Sequence, residues 1–133
     1  MPHSKTKRNI TDLRYVESDK GYINNLYQGI RSRDVINNFK SRDHLLELWN
    51  NHKKKYGPHC RYTGVELTTK RSTGEGWKPS RPTNLSVDRV DPRLPYEEGN
   101  IVFCSWEFNN RKHGVTPDDC KRILEVYEEI NEN

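Results

Sequence analysis

The chain has 133 residues, of which 31% are apolar and 32% charged, with a formal net charge of +4 at pH 7. That length fits one domain with a small core and a heavily charged surface. No run of eighteen apolar residues is present, so the pattern excludes a membrane-spanning helix. Three cysteines at wide spacing (Cys60, Cys104, Cys120) read as reduced thiols of a cytoplasmic protein. The polar, basic stretch from Met1 to Arg8 is followed by no apolar run of the signal-peptide kind.

In chain order, residues 1–20 are predicted as a basic, flexible arm carrying Lys5, Lys7 and Arg8. Residues 21–56 are expected to form a helical nucleic-acid-binding segment. Gly21 to Lys40 is weakly helical, with Ile23, Leu26, Tyr27 and Ile30 at helical spacing and Val35, Ile36 and Phe39 starting a second apolar set. Ser41 to Tyr56 is the clearest helix. Ser41 suits the N-cap, Asp43 the first turn, Lys53, Lys54 and Lys55 the last, and Gly57-Pro58 the stop. Leu45, Leu48, Trp49 and His52 form its face, widened by Leu46, with His52 read as a packing or solvated residue.

Residues 57–115 follow as a core unit. Cys60 to Thr69 reads as a short strand and turn with Gly64 at the turn, and Thr69 to Pro82 as an exposed loop in which Trp77 anchors on the core. Leu85 to Val90 and Ile101 to Ser105 read as two strands, joined through a loop with Pro92, Pro95 and Gly99. Trp106 to His113 is predicted as a short helix closed by Gly114. Residues 116–133 form the last helix, with Thr116 as N-cap, Pro117 at the first position and Asp118 and Asp119 in the first turn. Its expected buried stripe is Cys120, Ile123, Leu124, Tyr127 and Ile130. Cys104 and Cys120 are expected to be buried, inert thiols.

The charge is uneven. Residues 1–55 hold 12 Lys and Arg against 6 Asp and Glu, a net of +6, while the remainder hold 11 against 13, a net of −2. A basic N-terminal half suits phosphate contacts. Asp88 at the end of the first strand and Asn109 in the short helix offer hard oxygen ligands suited to Mg²⁺ or a similar cation.

Residues 59–116 resemble an HNH endonuclease domain of the ββα-metal class, and are most similar to its small, often phage-borne members. The matching pieces are Tyr62-Thr63-Gly64, Ser86-Val87-Asp88-Arg89-Val90-Asp91, Gly99-Asn100-Ile101 and Asn109-Asn110-Arg111-Lys112. The helix Leu45–Trp49 also resembles one such proteins carry. The resemblance implies an α+β fold with a ββα-metal core, N-terminal helices and a C-terminal helix. It implies metal-dependent hydrolysis of DNA phosphodiester bonds. Asp88 and Asn109 would hold Mg²⁺ (or Mn²⁺), Asn100 would pin the loop through backbone hydrogen bonds, and Lys112 would contact phosphate. Paired C-x-x-C motifs for a structural Zn²⁺ are broken, because Thr63 and Glu107 stand where second cysteines would. A mixed site from His59, Cys60, Cys104 and His113 is the remaining zinc option.

The usual His after the metal-binding Asp is replaced by Arg89, which cannot take a proton. Three readings stay open. Asp91 is the general base; a metal-bound hydroxide or a histidine such as His113 or His59 takes the proton; or the site is weak or inactive, with Arg89 clamping phosphate. The alternative function is accordingly an inactive HNH-fold DNA-binding or accessory protein. The expected partner is double-stranded DNA, contacted by Arg31, Arg33, Lys40, Arg42, Lys53, Lys54, Lys55 and Arg111. A monomer would nick one strand and a homodimer would cut both.

Overall fold

The computed structural model describes residues 15, 17–70 and 81–132. It is a mixed α+β protein whose described elements are helix α1 (Asp19–Arg31), helix α2 (Arg42–Tyr56), strands β1 (Leu85–Arg89) and β2 (Ile101–Ser105), and helices α3 (Trp106–Lys112) and α4 (Pro117–Asn131). The expectations for the basic arm before residue 15 and for Trp77 fall outside the described residues.

α1 starts where the Ser18 side chain accepts a hydrogen bond from the Gly21 amide, with Asp19 in the first turn. Tyr22, Ile23, Leu26 and Ile30 bury one face of it. The helix stops at Arg31, so the helical reading through to Lys40 is corrected. Short polar side chains such as Asn37 compete with helical bonding through local backbone contacts. Asn37 Oδ1 accepts from the Phe39 amide, and the segment pairs instead with the loop after β1, through Asn38 N to Tyr96 O at 2.8 Å and Tyr96 N to Ile36 O at 3.0 Å. Phe39 is buried there, whereas Ile36 faces solvent.

α2 follows its sequence cues. Ser41 caps it by accepting from His44 N, Lys53 to Lys55 lie in the last turn, and Gly57 ends it at φ +77, a conformation open to glycine. Leu45, Trp49 and His52, at spacings of four and three, are its buried residues. His52 stacks on Trp49 at 5.3 Å and sits 2.8 Å from the His59 carbonyl. Burial holds its imidazole below the ordinary pKa, so it packs as a neutral ring.

The Cys60 to Thr69 segment is a turn and not a strand. The Cys60 and Val65 backbones bond across it, Gly64 takes φ +81, and isolated bridges join His59 to Glu66 and Thr68 to Asn84. β1 and β2 are antiparallel in the register Leu85–Ser105, Val87–Phe103, Arg89–Ile101. Residues 85 and 87 turn to the core with Phe103, whose ring lies 5.2 Å from Trp49. Tyr22 of α1 donates its hydroxyl to Leu85 O at 2.9 Å, joining the helical layer to the hairpin.

α3 follows β2 without a loop, Ser105 being both the last strand residue and the N-cap. α4 has the expected cap: Thr116 and Asp119 form a reciprocal capping box with Pro117 at the start. Its stripe is a correction. Ile123, Leu124, Tyr127 and Ile130 are exposed, and so is Cys120, in contrast to the buried Cys104. Amphipathic spacing specifies a face, but the core of α1, α2 and the hairpin closes without it. No helix among the described residues is long and apolar enough to cross a membrane.

Leu45 is fully buried. Leu45→Ala should lower unfolding free energy by about 2–5 kcal/mol, the range for a deleted core leucine, as read from the urea midpoint.

Candidate metal centre

Alternation along β1 puts Ser86 and Asp88 on the face opposite the core residues Leu85 and Val87. α3 lies over that face. Asn109 and Lys112, three apart, share one side of the helix. Asn109 Nδ2 donates to Ser86 Oγ at 2.8 Å and to Val87 O at 3.4 Å. Lys112 Nζ lies 3.0 Å from Asp88 Oδ2 and donates to Arg89 O at 3.0 Å. Tyr62, from the turn after α2, donates its hydroxyl to the same Asp88 Oδ2 at 2.7 Å. Burial and then the Asp88 carboxylate push the Tyr62 phenol far above its ordinary pKa, so it stays a donor.

Two hard oxygens are left over. Asp88 Oδ1 and Asn109 Oδ1 receive no hydrogen bond from the described residues, because Tyr62 and Lys112 crowd the other carboxylate oxygen and Ser86 and Val87 fix the amide by its nitrogen. A carboxylate oxygen and an amide oxygen are hard donors of the kind Mg²⁺ prefers. Among the described residues no group of three His, Cys, Asp or Glu side chains is placed to hold a metal, so His59, Cys60, Cys104 and His113 do not assemble a zinc site. Cys60 Sγ instead accepts from Thr63 N at 3.4 Å and Ser105 N at 3.3 Å.

Asn100 is buried and does the work of a loop pin. Its Oδ1 accepts from Asp91 N at 3.0 Å, and its Nδ2 donates to Asp91 O at 3.1 Å and Pro95 O at 3.0 Å. Asp91 itself is engaged. Arg93 Nε and one terminal nitrogen reach its two oxygens at 2.9 Å each. These bonds hold the Asp91 carboxyl at about 2, so it is a weak base. Arg89 turns away from the leftover oxygens: it donates to Leu94 O at 3.1 Å and lies 4.9 Å from the Tyr96 ring centre.

The basic residues separate into free and committed groups. Arg33 hydrogen-bonds the Tyr96 hydroxyl and lines a groove of about 440 Å³ with Ser86, Asn109 and Asn110, alongside Ile30 and Trp106. Arg31, Lys40, Arg42 and Lys54 are exposed. Lys55 is exposed near Tyr56, and Arg111 is exposed beside Glu107 at 3.4 Å. Lys53 is committed: its ammonium pairs with Asp19 and lies 5.5 Å from the Trp49 ring, which joins α2 to α1. Sequence reasoning assigned no role to Tyr62, Ser86 or Tyr96. Ser86 was accessible to it, since it sits two residues before Asp88 on the same strand face.

Comparison with protein-family models, with curated proteins and with solved structures finds no match to this chain.

Asn100→Ala removes three hydrogen bonds at a buried position. A stability loss of about 2 kcal/mol is expected in urea denaturation. The Asp91 carboxyl is at about 2 in the fold against an ordinary 3.8, so its stabilisation is complete above the ordinary value and is lost as pH falls towards about 2. Asp91→Asn should therefore flatten the fall of the thermal midpoint between about pH 4 and pH 2.

Proposed function

We propose that the hairpin and α3 form an HNH-type ββα-metal core and that the protein is a metal-dependent endonuclease nicking one strand of duplex DNA. The observation that carries this reading is the pair of unengaged oxygens, Asp88 Oδ1 and Asn109 Oδ1, on a strand and helix that Lys112 ties together. Mg²⁺ or Mn²⁺ held there would neutralise charge developing on the phosphate and on the leaving 3′ oxygen. The chain's own residues supply the setting. Arg33 places a cation in the groove beside Asn109, and Lys112 fixes the orientation of the Asp88 carboxylate. Arg31, Lys40, Arg42, Lys54, Lys55 and Arg111 offer solvent-facing cations to neighbouring phosphates. With Asp91 bonded to Arg93, a metal-bound hydroxide or an exposed histidine, His113 or His59, would take the place of that base.

A second reading, a DNA-binding protein that does not cleave, is favoured by a specific observation. Each charged group along Asp88-Arg89-Val90-Asp91 already has an internal partner: Lys112 for Asp88, Leu94 O and Tyr96 for Arg89, and Arg93 for Asp91.

Nicking of supercoiled plasmid decides between them. Wild type should nick with Mg²⁺ or Mn²⁺, and chelator should stop it. Asp88→Asn, which keeps an oxygen for Tyr62, should lower the rate on the order of a hundredfold or more while DNA binding persists. Salt-sensitive binding by a wild type that never nicks would overturn the nuclease reading in favour of the second. Gain of nicking in Arg89→His would then show that the missing base alone is responsible.

A further inference from the structure

α4 buries none of its residues, and its exposed apolar side chains follow a heptad pattern. Cys120, Ile123, Tyr127 and Ile130 recur at spacings of three, four and three, with Leu124 and Val126 on either flank of that seam. Ile123, Tyr127 and Ile130 are each 63–69% exposed. Together the exposed parts of these side chains offer on the order of 600 Å² per copy, enough for two copies to reach the lower end of stable interfaces. The helix is held at its first turn, where Asp118 pairs with Arg93 at 3.1 Å and Cys120 borders a cleft with Phe108 and Val115, and among the described residues the seam beyond is uncovered.

The charges select the occupant and its direction. Lys121 and Arg122 stand in the first half of α4, and Glu125, Glu128, Glu129 and Glu132 from its middle onward. Two copies laid antiparallel about a two-fold axis near residue 125 place Cys120 against Ile130 and Ile123 against Tyr127. The same alignment puts Lys121 on one flank beside the second copy's Glu128, and Arg122 on the other beside its Glu129. Arg122 already reaches Glu125 at 3.2 Å and Glu129 at 3.7 Å within its own helix, which leaves Lys121 as the freer of the two cations. A parallel pair would set Lys121 beside the second copy's Arg122 and Glu128 beside its Glu129, like charge on like, at a repulsive cost. A closed two-fold pair uses the same patch on both copies, so it buries both seams at once.

We infer that α4 is a homodimerisation helix, pairing antiparallel with the α4 of a second copy of this chain. The inference is independent of nuclease activity. Light scattering on the full chain should give twice the 15.8 kDa chain mass at micromolar concentrations. Tyr127→Asp with Ile130→Asp, at exposed positions that the monomer fold does not use, should give the single mass with unchanged circular dichroism. Lys121→Glu with Arg122→Glu should weaken pairing at least tenfold, and adding Glu128→Lys and Glu129→Lys to the same chain should restore it. Under mild oxidation Ile130→Cys should form a covalent dimer through Cys120, whereas wild type should not. A wild type that stays monomeric, or pairing untouched by the aspartates, overturns the inference. So does a wild-type Cys120–Cys120 crosslink, which only parallel helices would form.

Discussion

The Asp88–Lys112 ion pair is the contact on which the rest of this structure depends. Both side chains are about nine-tenths buried, so neither charge can rely on water. A buried pair is tolerable only when its remaining donors and acceptors are also met. Tyr62 supplies a second donor to the carboxylate and Arg89 O accepts from the ammonium. Those four residues come from the turn after α2, from β1 and from α3. The pair therefore sets where the short helix lies on the hairpin, and through that where the Asn109 amide faces. α3 has only seven residues, too few to be stable alone, and owes its position to these polar bonds more than to apolar burial.

A second polar anchor lies at the other end of the hairpin. Asn100 closes the loop after β1 on itself, and the same loop takes Tyr96 into the core and pairs its backbone with residues 36–38. Tyr96 also receives Arg33 on its hydroxyl and Arg89 over its ring. One loop thus connects the segment between α1 and α2 to the strand carrying Asp88. Arg89 serves this connection through Leu94 O and the Tyr96 ring. Its charge therefore has a structural use, holding the loop after β1 against the strand.

The sequence was most readable where the determinants are local. Ser41, Thr116 with Asp119, and Gly57 mark helix ends through contacts spanning a few residues, and the structure places the caps there. The two strands were readable to within one residue, because their apolar runs lie between turn residues. The Asp91–Arg93 pair was equally local, two residues apart, yet a carboxylate read as a candidate base drew attention from its neighbour. What escaped depends on distant partners. Lys112 was expected to meet phosphate, and nothing in its helix indicates the carboxylate 24 positions earlier that it meets instead. Lys53 reads as one of three like lysines until Asp19 is brought beside it. The end of α1 was missed for the opposite reason: the apolar spacing continued, while the short polar side chains between had a better use for the backbone.

Asn84 has no exposed surface, and its side chain bonds to Thr68, Lys70 and Arg81. Its Nδ2 donates to Lys70 O at 2.7 Å and to Thr68 Oγ1 at 3.1 Å, and its Oδ1 accepts from Arg81 N at 2.9 Å. Thr68 and Thr83 add a hydroxyl contact at 3.0 Å across the same gap. The segment ending at Lys70 and the one starting at Arg81 are thereby fastened to each other from the core side. Thr68, Lys70 and Arg81 are thus moored to the start of β1 by one amide, and its loss would release all three from the hairpin together.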